Sequence, residues 1–227
     1  MLPEAGIVLD AGTGAFRIQR HLATRELDVF LSHAHLDHVV GLTYLLAPLA
    51  LKQIDAVRVH GTAAVIDALK QHLFATAVFP VMPAFDFRPL TGSSLSVGST
   101  TIRWQTLPSH PGTSLAYRLE MTTAGKPRSL AYVTDTTVDG SYTDFVRGVD
   151  VLIHECYFPD SLDDWATKTG HSTTSKVLNV AAQGKVGRLI LVHVDPRSTG
   201  DDPLGLTAAK GAFPRVEIAR DGMEIEI

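Results

Sequence analysis

The chain has little of several things. Its 227 residues include one cysteine, Cys156, which excludes an internal disulfide and points to a reducing compartment. No stretch approaches the roughly 18 uninterrupted apolar residues of a membrane span, and MLPEAGIVLD at the start has neither the basic end nor the apolar run of a secretory leader. A cytoplasmic protein with no membrane attachment is expected. Positive charge is short as well: 20 Lys and Arg against 24 Asp and Glu leave a net charge of −4, so no global basic field recruits nucleic acid or an anionic bilayer. Sequence repeats and low-complexity linkers are missing too. What is there, 45% hydrophobic and 19% charged residues, is the composition of an ordinary folded chain, and the length suits one continuous domain over residues 1–227.

Short β-branched or alternating runs predict strands at residues 7–9, 29–31, 57–59, 95–97, 101–107, 116–120, 130–133, 151–153 and 189–192. Helices are expected over 39–51, where Val39, Leu42, Leu45, Leu46 and Leu49 share a face, over 63–74 after Gly61-Thr62, and over 172–183 after a run of capping hydroxyls. Strands outnumber helices without alternating one for one. That pattern predicts a layered α/β (α+β) fold with mixed or antiparallel sheets, not a doubly wound parallel one.

Seven of the ten histidines follow strands or open loops and helices: His33, His35, His38, His110, His154, His171 and His193; only His21, His60 and His72 do not. Strands end repeatedly in ligand-type residues, as in VFLSH, AYVTD, VLIHE and ILVH. Residues distant in sequence can meet where strand ends share a sheet edge. The densest cluster is LSHAHLDHVVG, residues 31–41, whose His-x-His-x-Asp-His is expected by chance on the order of once per thousand chains of this composition. Four such polar side chains behind a buried strand are costly to bury unless they are hydrogen-bonded or coordinated, and imidazole with carboxylate suits Zn²⁺.

On these residues the chain resembles the metallo-β-lactamase superfamily, whose signature is His-x-His-x-Asp-His. The resemblance implies a four-layered αββα sandwich, here lacking the first N-terminal strand because the chain begins almost at IVLDAGTG. It also implies two Zn²⁺ per chain, with Mn²⁺ as a substitute. His33, His35 and His110 would hold one ion, Asp37, His38 and His193 the other, and Asp135 would bridge them. Thr134 stands where relatives usually carry glycine.

LIHECYF followed by GHSTTSK is similar to the ribonuclease Z branch, with its His-Glu-Ala-Thr-like motif and later Gly-His-Ser or Gly-His-Thr. HAHLDHVVGL also looks like class II cyclic nucleotide phosphodiesterases and small cyclic-phosphate phosphodiesterases. The expected activity is a hydroxide bridging two zinc ions that attacks a small or cyclic, nucleotide-derived phosphodiester. In that reading Asp37 also orients the attacking water, His171 protonates the leaving oxygen, and Glu155 orients His171. An alternative role for His171 is capping the helix that follows. Rival activities are a ribonuclease Z-like endoribonuclease for tRNA 3′ processing, a thioester, lactone or β-lactam hydrolase, and an inactive metal-loaded scaffold. RNA is a candidate partner, yet only 24 residues lie between His110 and Asp135, too few for the tRNA-gripping arm of ribonuclease Z. Relatives are often dimers, so a homodimer is a further expectation.

Weaker signals read blandly. Asp10-Ala-Gly-Thr-Gly14 is expected to be a tight turn more than a phosphate cradle. Cys156 reads as a small apolar filler, His154 as a hydrogen-bonding neighbour of the site, and Tyr157, Phe158 and Trp165 as packing slightly more than as a pocket lining that stacks a base. Arg197 and Lys176 suit a phosphate or a solvated surface equally.

Overall fold

The computed structural model describes all 227 residues and divides into two compact units, Met1–Gly98 and Ser99–Ile227. In the first unit, β1 (Ile7–Leu9), β2 (Glu26–Phe30), β3 (Ala56–Gly61) and β4 (Asp86–Pro89) form a sheet in the order β1-β2-β3-β4, every neighbour pair parallel. A short strand β5 (Ser94–Val97) follows in sequence and is no part of that sheet. Alternate residues of a strand face opposite sides. Leu27, Val29, Val57 and Val59 therefore share the side that packs with Ile18, Leu42, Leu45, Ile66 and Leu69 into one core. Asp28, Arg58 and His60 take the other side, where Asp28 accepts hydrogen bonds from His60 Nε2 at 2.7 Å and Arg58 Nε at 2.9 Å. Burial works to raise the Asp28 carboxyl, but the His60 and Arg58 hydrogen bonds and the guanidinium charge outweigh it and hold the pKa at about 2.

The expected helix over 39–51 is broken into α1 (Leu36–Val39), a 3-10 segment (Val40–Leu45) and α2 (Leu46–Ala50). Gly41 explains the break. A Cβ there would lie 2.0 Å from Gly12 O and 2.6 Å from the Ala15 Cβ, so the segment is pressed onto the 11–15 backbone and cannot wind freely. The next expected helix is α3 (Ala63–Ala68), capped by Thr62 Oγ1 accepting Val65 N–H at 3.2 Å, and it loosens into a π turn at Leu69–Leu73. The wholly parallel sheet departs from the expected mixed or antiparallel one. Its crossovers run largely through 3-10 and irregular segments, whose weak periodicity gives no βαβ pattern to read. Strand β4 was missed because Asp-Phe-Arg-Pro carries one apolar side chain and sits at the sheet end, where proline is tolerated.

The second unit contains β6 (Thr100–Leu107), β7 (Ser114–Thr123), β8 (Lys126–Val133), β9 (Val151–Glu155), β10 (Arg188–Val192) and β11 (Val216–Ile218). Strands β6, β7 and β8 pair antiparallel, whereas β8, β9, β10 and β11 pair parallel, which matches the expected mixed sheet. The β7–β8 hairpin closes through Ala124 and Gly125, both at positive φ (50° and 76°), as a two-residue turn requires. Helices α4 (Asp163–Thr169), α5 (Thr174–Gln183) and α6 (Leu206–Ala209) complete the unit. α5 buries Val177, Leu178, Val180 and Ala181 in one cluster with Leu152, Leu189 and Leu191; a leucine-sized side chain so buried contributes about 1.5–3 kcal/mol. No helix is long and apolar enough to cross a membrane.

Candidate metal centre

Parallel strands deliver their carboxyl ends to one edge. In the first unit Leu9 pairs with Phe30, so the residues just past β1 and β2 emerge side by side. Asp10, at φ 54°, accepts the Ser32 N–H at 2.7 Å on one oxygen and the Ser32 hydroxyl at 2.7 Å on the other. With its proton committed to Asp10, Ser32 Oγ accepts from His33 Nδ1 at 3.0 Å. His38 Nδ1 donates to the same Asp10 oxygen at 2.9 Å. One carboxylate thereby fixes the tautomer of two imidazoles, so that His33 and His38 both present Nε2. The His33 ring lies 4.5 Å from that of His35 and 4.3 Å from that of His38, and His38 Nε2 is 3.4 Å from an Asp37 oxygen. His33 and His38 are buried, whereas His35 and Asp37 are exposed.

In the second unit the β8–β9 and β9–β10 registers align Val133, His154 and Leu191. Asp135, Glu155 and His193 follow within two residues and emerge together. Asp135 (φ 32°) and His193 (φ 55°) both adopt left-handed backbone, a local strain of roughly 1–3 kcal/mol each that folded proteins keep where a function needs it. Asp135 Oδ1 accepts the Thr134 hydroxyl at 2.6 Å and lies 3.5 Å from His193 Nδ1, while Asp135 Oδ2 lies 3.8 Å from His110 Nε2. His110 follows β6, and its Nδ1 donates to the Gly170 carbonyl at 3.0 Å, again leaving Nε2 as the outward atom. Ligand atoms of Asp135, His171 and His193 lie within 4.8 Å of one another. These donors, neutral imidazole nitrogen and carboxylate oxygen in both units, are the ones Zn²⁺ and Mn²⁺ take, and their outer hydrogen bonds are those that orient metal ligands.

Glu155 is fully buried. Its Oε1 accepts Thr136 N–H at 2.9 Å, Ser172 N–H at 3.1 Å and His171 Nδ1 at 3.3 Å, and its Oε2 accepts Tyr157 N–H at 3.1 Å. Four donors converging on a carboxylate hold His171 with Nε2 turned away from it. His171 does not cap the following helix: α5 starts at Thr174, its cap residue is Thr173, and the imidazole is on Glu155. Behind this pair His154 Nδ1 donates to Glu155 O at 2.6 Å and its Nε2 accepts the Tyr142 hydroxyl at 2.8 Å. Burial lowers the His154 pKa and raises that of Tyr142, so both stay neutral.

The weaker signals resolve individually. Cys156 is buried and burial pushes its thiol up to about 12, as suits an apolar filler. Phe158 packs, but Trp165 is 54% exposed with Lys168 Nζ 4.8 Å above its ring, so it is no packing residue. Lys176 pairs with Asp163 at 2.6 Å and Arg197 with Asp195 at 2.8 Å. Asp10 does more than turn the chain; an aspartate directly after the first apolar strand and ahead of Gly12 is the signal the sequence offers. Gly170 opens the Gly-His-Ser-like motif, but nothing in the sequence marks its carbonyl as the acceptor for His110 Nδ1.

The description "Beta-lactamase superfamily domain" belongs to a family model that matches residues 6–194. Ribonuclease Z of Archaeoglobus fulgidus is 35% identical over 100 residues, 44% of this chain and 33% of that protein, so the matched part spans about a third of such a relative. Ribonuclease Z of Bradyrhizobium sp. (strain ORS 278) is 28% identical over 278 aligned positions, covering 97% of this chain and 91% of that protein. The metallo-β-lactamase fold protein YhfI from Bacillus subtilis superposes with a TM-score of 0.74 at 23% identity, over 96% of this chain and 85% of that one. The two sheets with their helices thus have the metallo-β-lactamase fold. The chain belongs to the β-lactamase superfamily.

Proposed function

We propose that the chain is a metal-dependent phosphodiesterase acting on a small or cyclic phosphodiester, with both units serving one hydrolase domain. The reading assigns one ion to His33, His35 and His110, a second to Asp37, His38 and His193, and the bridging position to Asp135, following the residue-by-residue match to the superfamily signature. When bound, such ions lower the pKa of water to about 7 and neutralise phosphate charge. Asp37, exposed beside His38, orients the water. His171 delivers a proton from Nε2 to the leaving oxygen, and Glu155 keeps Nδ1 protonated throughout.

One observation carries this reading above the other hydrolases: a fully buried glutamate that holds an imidazole by Nδ1 beside Asp135 and His193. An alkoxide leaving group from phosphorus needs such an acid, worth about 10²–10⁴-fold. A thioester, lactone or β-lactam gives it no obvious task. The relatives named ribonuclease Z favour RNA as a second reading. Against it stand the two-residue turn that closes the hairpin between His110 and Asp135, and an alignment of 278 positions against 227 residues, which leaves segments of the relative without a counterpart.

Zinc-loaded protein assayed on linear, cyclic and tRNA-precursor phosphodiesters tests the choice. Fastest turnover of a small diester is expected, and faster cleavage of the tRNA precursor would replace this reading with the second. In His171→Ala both ions should remain while hydrolysis falls by about 10²–10⁴-fold. Loss of an ion would make His171 a ligand, and full activity would remove its role as acid.

A further inference from the structure

The Glu155–His171 hydrogen bond is long, at 3.3 Å. A bond of that length at Nδ1 leaves the plane of the imidazole to be set by what lies against its faces, and that plane directs Nε2. The ring of Tyr157 lies against the face of His171, with centroids 4.6 Å apart and planes 20° apart. Its centroid is also 5.0 Å from that of His193. The tyrosine is itself fixed from both sides by main chain: its N–H donates to Glu155 Oε2 at 3.1 Å, and its carbonyl accepts Asp195 N–H at 3.1 Å. Phe158 supports the arrangement edge-on, 4.8 Å from the Tyr157 ring and 6.3 Å from that of His171.

We infer that Tyr157 is a positioning residue, whose ring face sets the plane of His171 and hence the direction in which Nε2 offers its proton. In this chain His154-Glu155-Cys156-Tyr157 stands where the similar motif reads His-Glu-Ala-Thr, and a threonine has no ring to stack. The inference rests on the reading of His171 as the proton donor. An aromatic stack worth about 0.5–1.5 kcal/mol changes the population of the aligned imidazole by up to roughly tenfold.

Tyr157→Phe keeps the ring and Tyr157→Thr removes it. With zinc-loaded protein, Tyr157→Thr is expected to lower kcat by up to roughly tenfold on a diester with an alkoxide leaving group, with KM little changed. The loss should be clearly smaller on bis(p-nitrophenyl) phosphate, whose leaving group needs little protonation, and Tyr157→Phe should recover most of it. A second readout needs no turnover: NMR of the histidine ring protons in the metal-free protein, with His171 assigned from His171→Ala. The upfield ring-current shift of His171 should survive Tyr157→Phe and vanish in Tyr157→Thr. An unchanged His171 shift in Tyr157→Thr overturns the inference, as does an equal kcat loss with both leaving groups. If the wild-type protein hydrolyses no phosphodiester, the functional reading fails and the NMR shift alone decides whether Tyr157 orients His171.

Discussion

The two units hold their imidazoles by opposite means. In the first, one carboxylate does the holding: Asp10 takes His38 directly and His33 through Ser32, with Asp10, Ser32 and His33 just past two neighbouring strand ends and His38 on the short helix α1 that follows. In the second, the holders are scattered: the Gly170 carbonyl for His110, Glu155 for His171, and left-handed backbone at Asp135 and His193. The first arrangement concentrates its dependence in a single side chain that touches the proposed ligand His38. The second spreads it over the main chain, so its weak point is the buried acid that several backbone segments share.

Changes that remove each holder break this contrast. The largest effect belongs to Glu155→Ala, which leaves three backbone N–H groups and an imidazole N–H facing a buried gap. Each unsatisfied donor costs about 1–3 kcal/mol, and partial relaxation leaves an expected loss of about 3–5 kcal/mol in chemical denaturation. A midpoint close to wild type would show that the second unit does not depend on this acid. Asp10→Ala comes next and should act mainly on metal: Zn²⁺ affinity, read by chelator competition, falls about 10–100-fold. Undiminished affinity would mean that the Ser32 relay orients nothing.

Acid sharpens the same comparison away from the ligands, because the first unit buries an ionic group and the second a neutral pair. The Asp28 pKa drops from 3.8 to about 2 on folding. Its contribution, about 2 kcal/mol, is therefore complete above pH 4 and lost as pH falls through about 2. His154 is also lowered on folding, so below about pH 6.5 the unfolded chain takes up a proton that the folded one refuses, and stability falls there as well. Denaturation midpoints against pH should show both declines, with Asp28→Asn removing the lower and His154→Gln the upper. A single decline insensitive to both changes contradicts the assignment. The smallest effect is expected for Thr134→Ala, which deletes the 2.6 Å hydrogen bond to Asp135 and should cost about 1 kcal/mol, with Thr134→Ser restoring it in the same denaturation measurement.

Legibility in the sequence followed the same divide. The first histidine cluster sits in one loop behind an apolar run, so residue type and spacing alone announced it. His110, Asp135 and His193 are single letters at the ends of different strands, and only the resemblance to a known motif order assigned them. Strands with alternating or β-branched side chains were found within a few residues of their ends, as at β6 and β10. The parallel first sheet was not, because its crossovers run largely through 3-10 and irregular segments, nor was the broken 39–51 helix, because a close backbone approach at Gly41 overrode local preference. Asp10 and Tyr157 act through contacts that no periodicity encodes.

Gly170 sits between helix α4 and His171, at φ 77°, with its carbonyl on His110 and room for no Cβ: one would stand 2.6 Å from Pro111 Cδ and 3.0 Å from His110 Nδ1. A lone turn is therefore shared between the proposed ligand His110 and the proposed proton donor, so a change at Gly170 disturbs both. Exposed Leu162 and Trp165 lie just upstream, while the Ala166 carbonyl of the same stretch accepts the His171 N–H at 2.8 Å and so belongs to that shared turn.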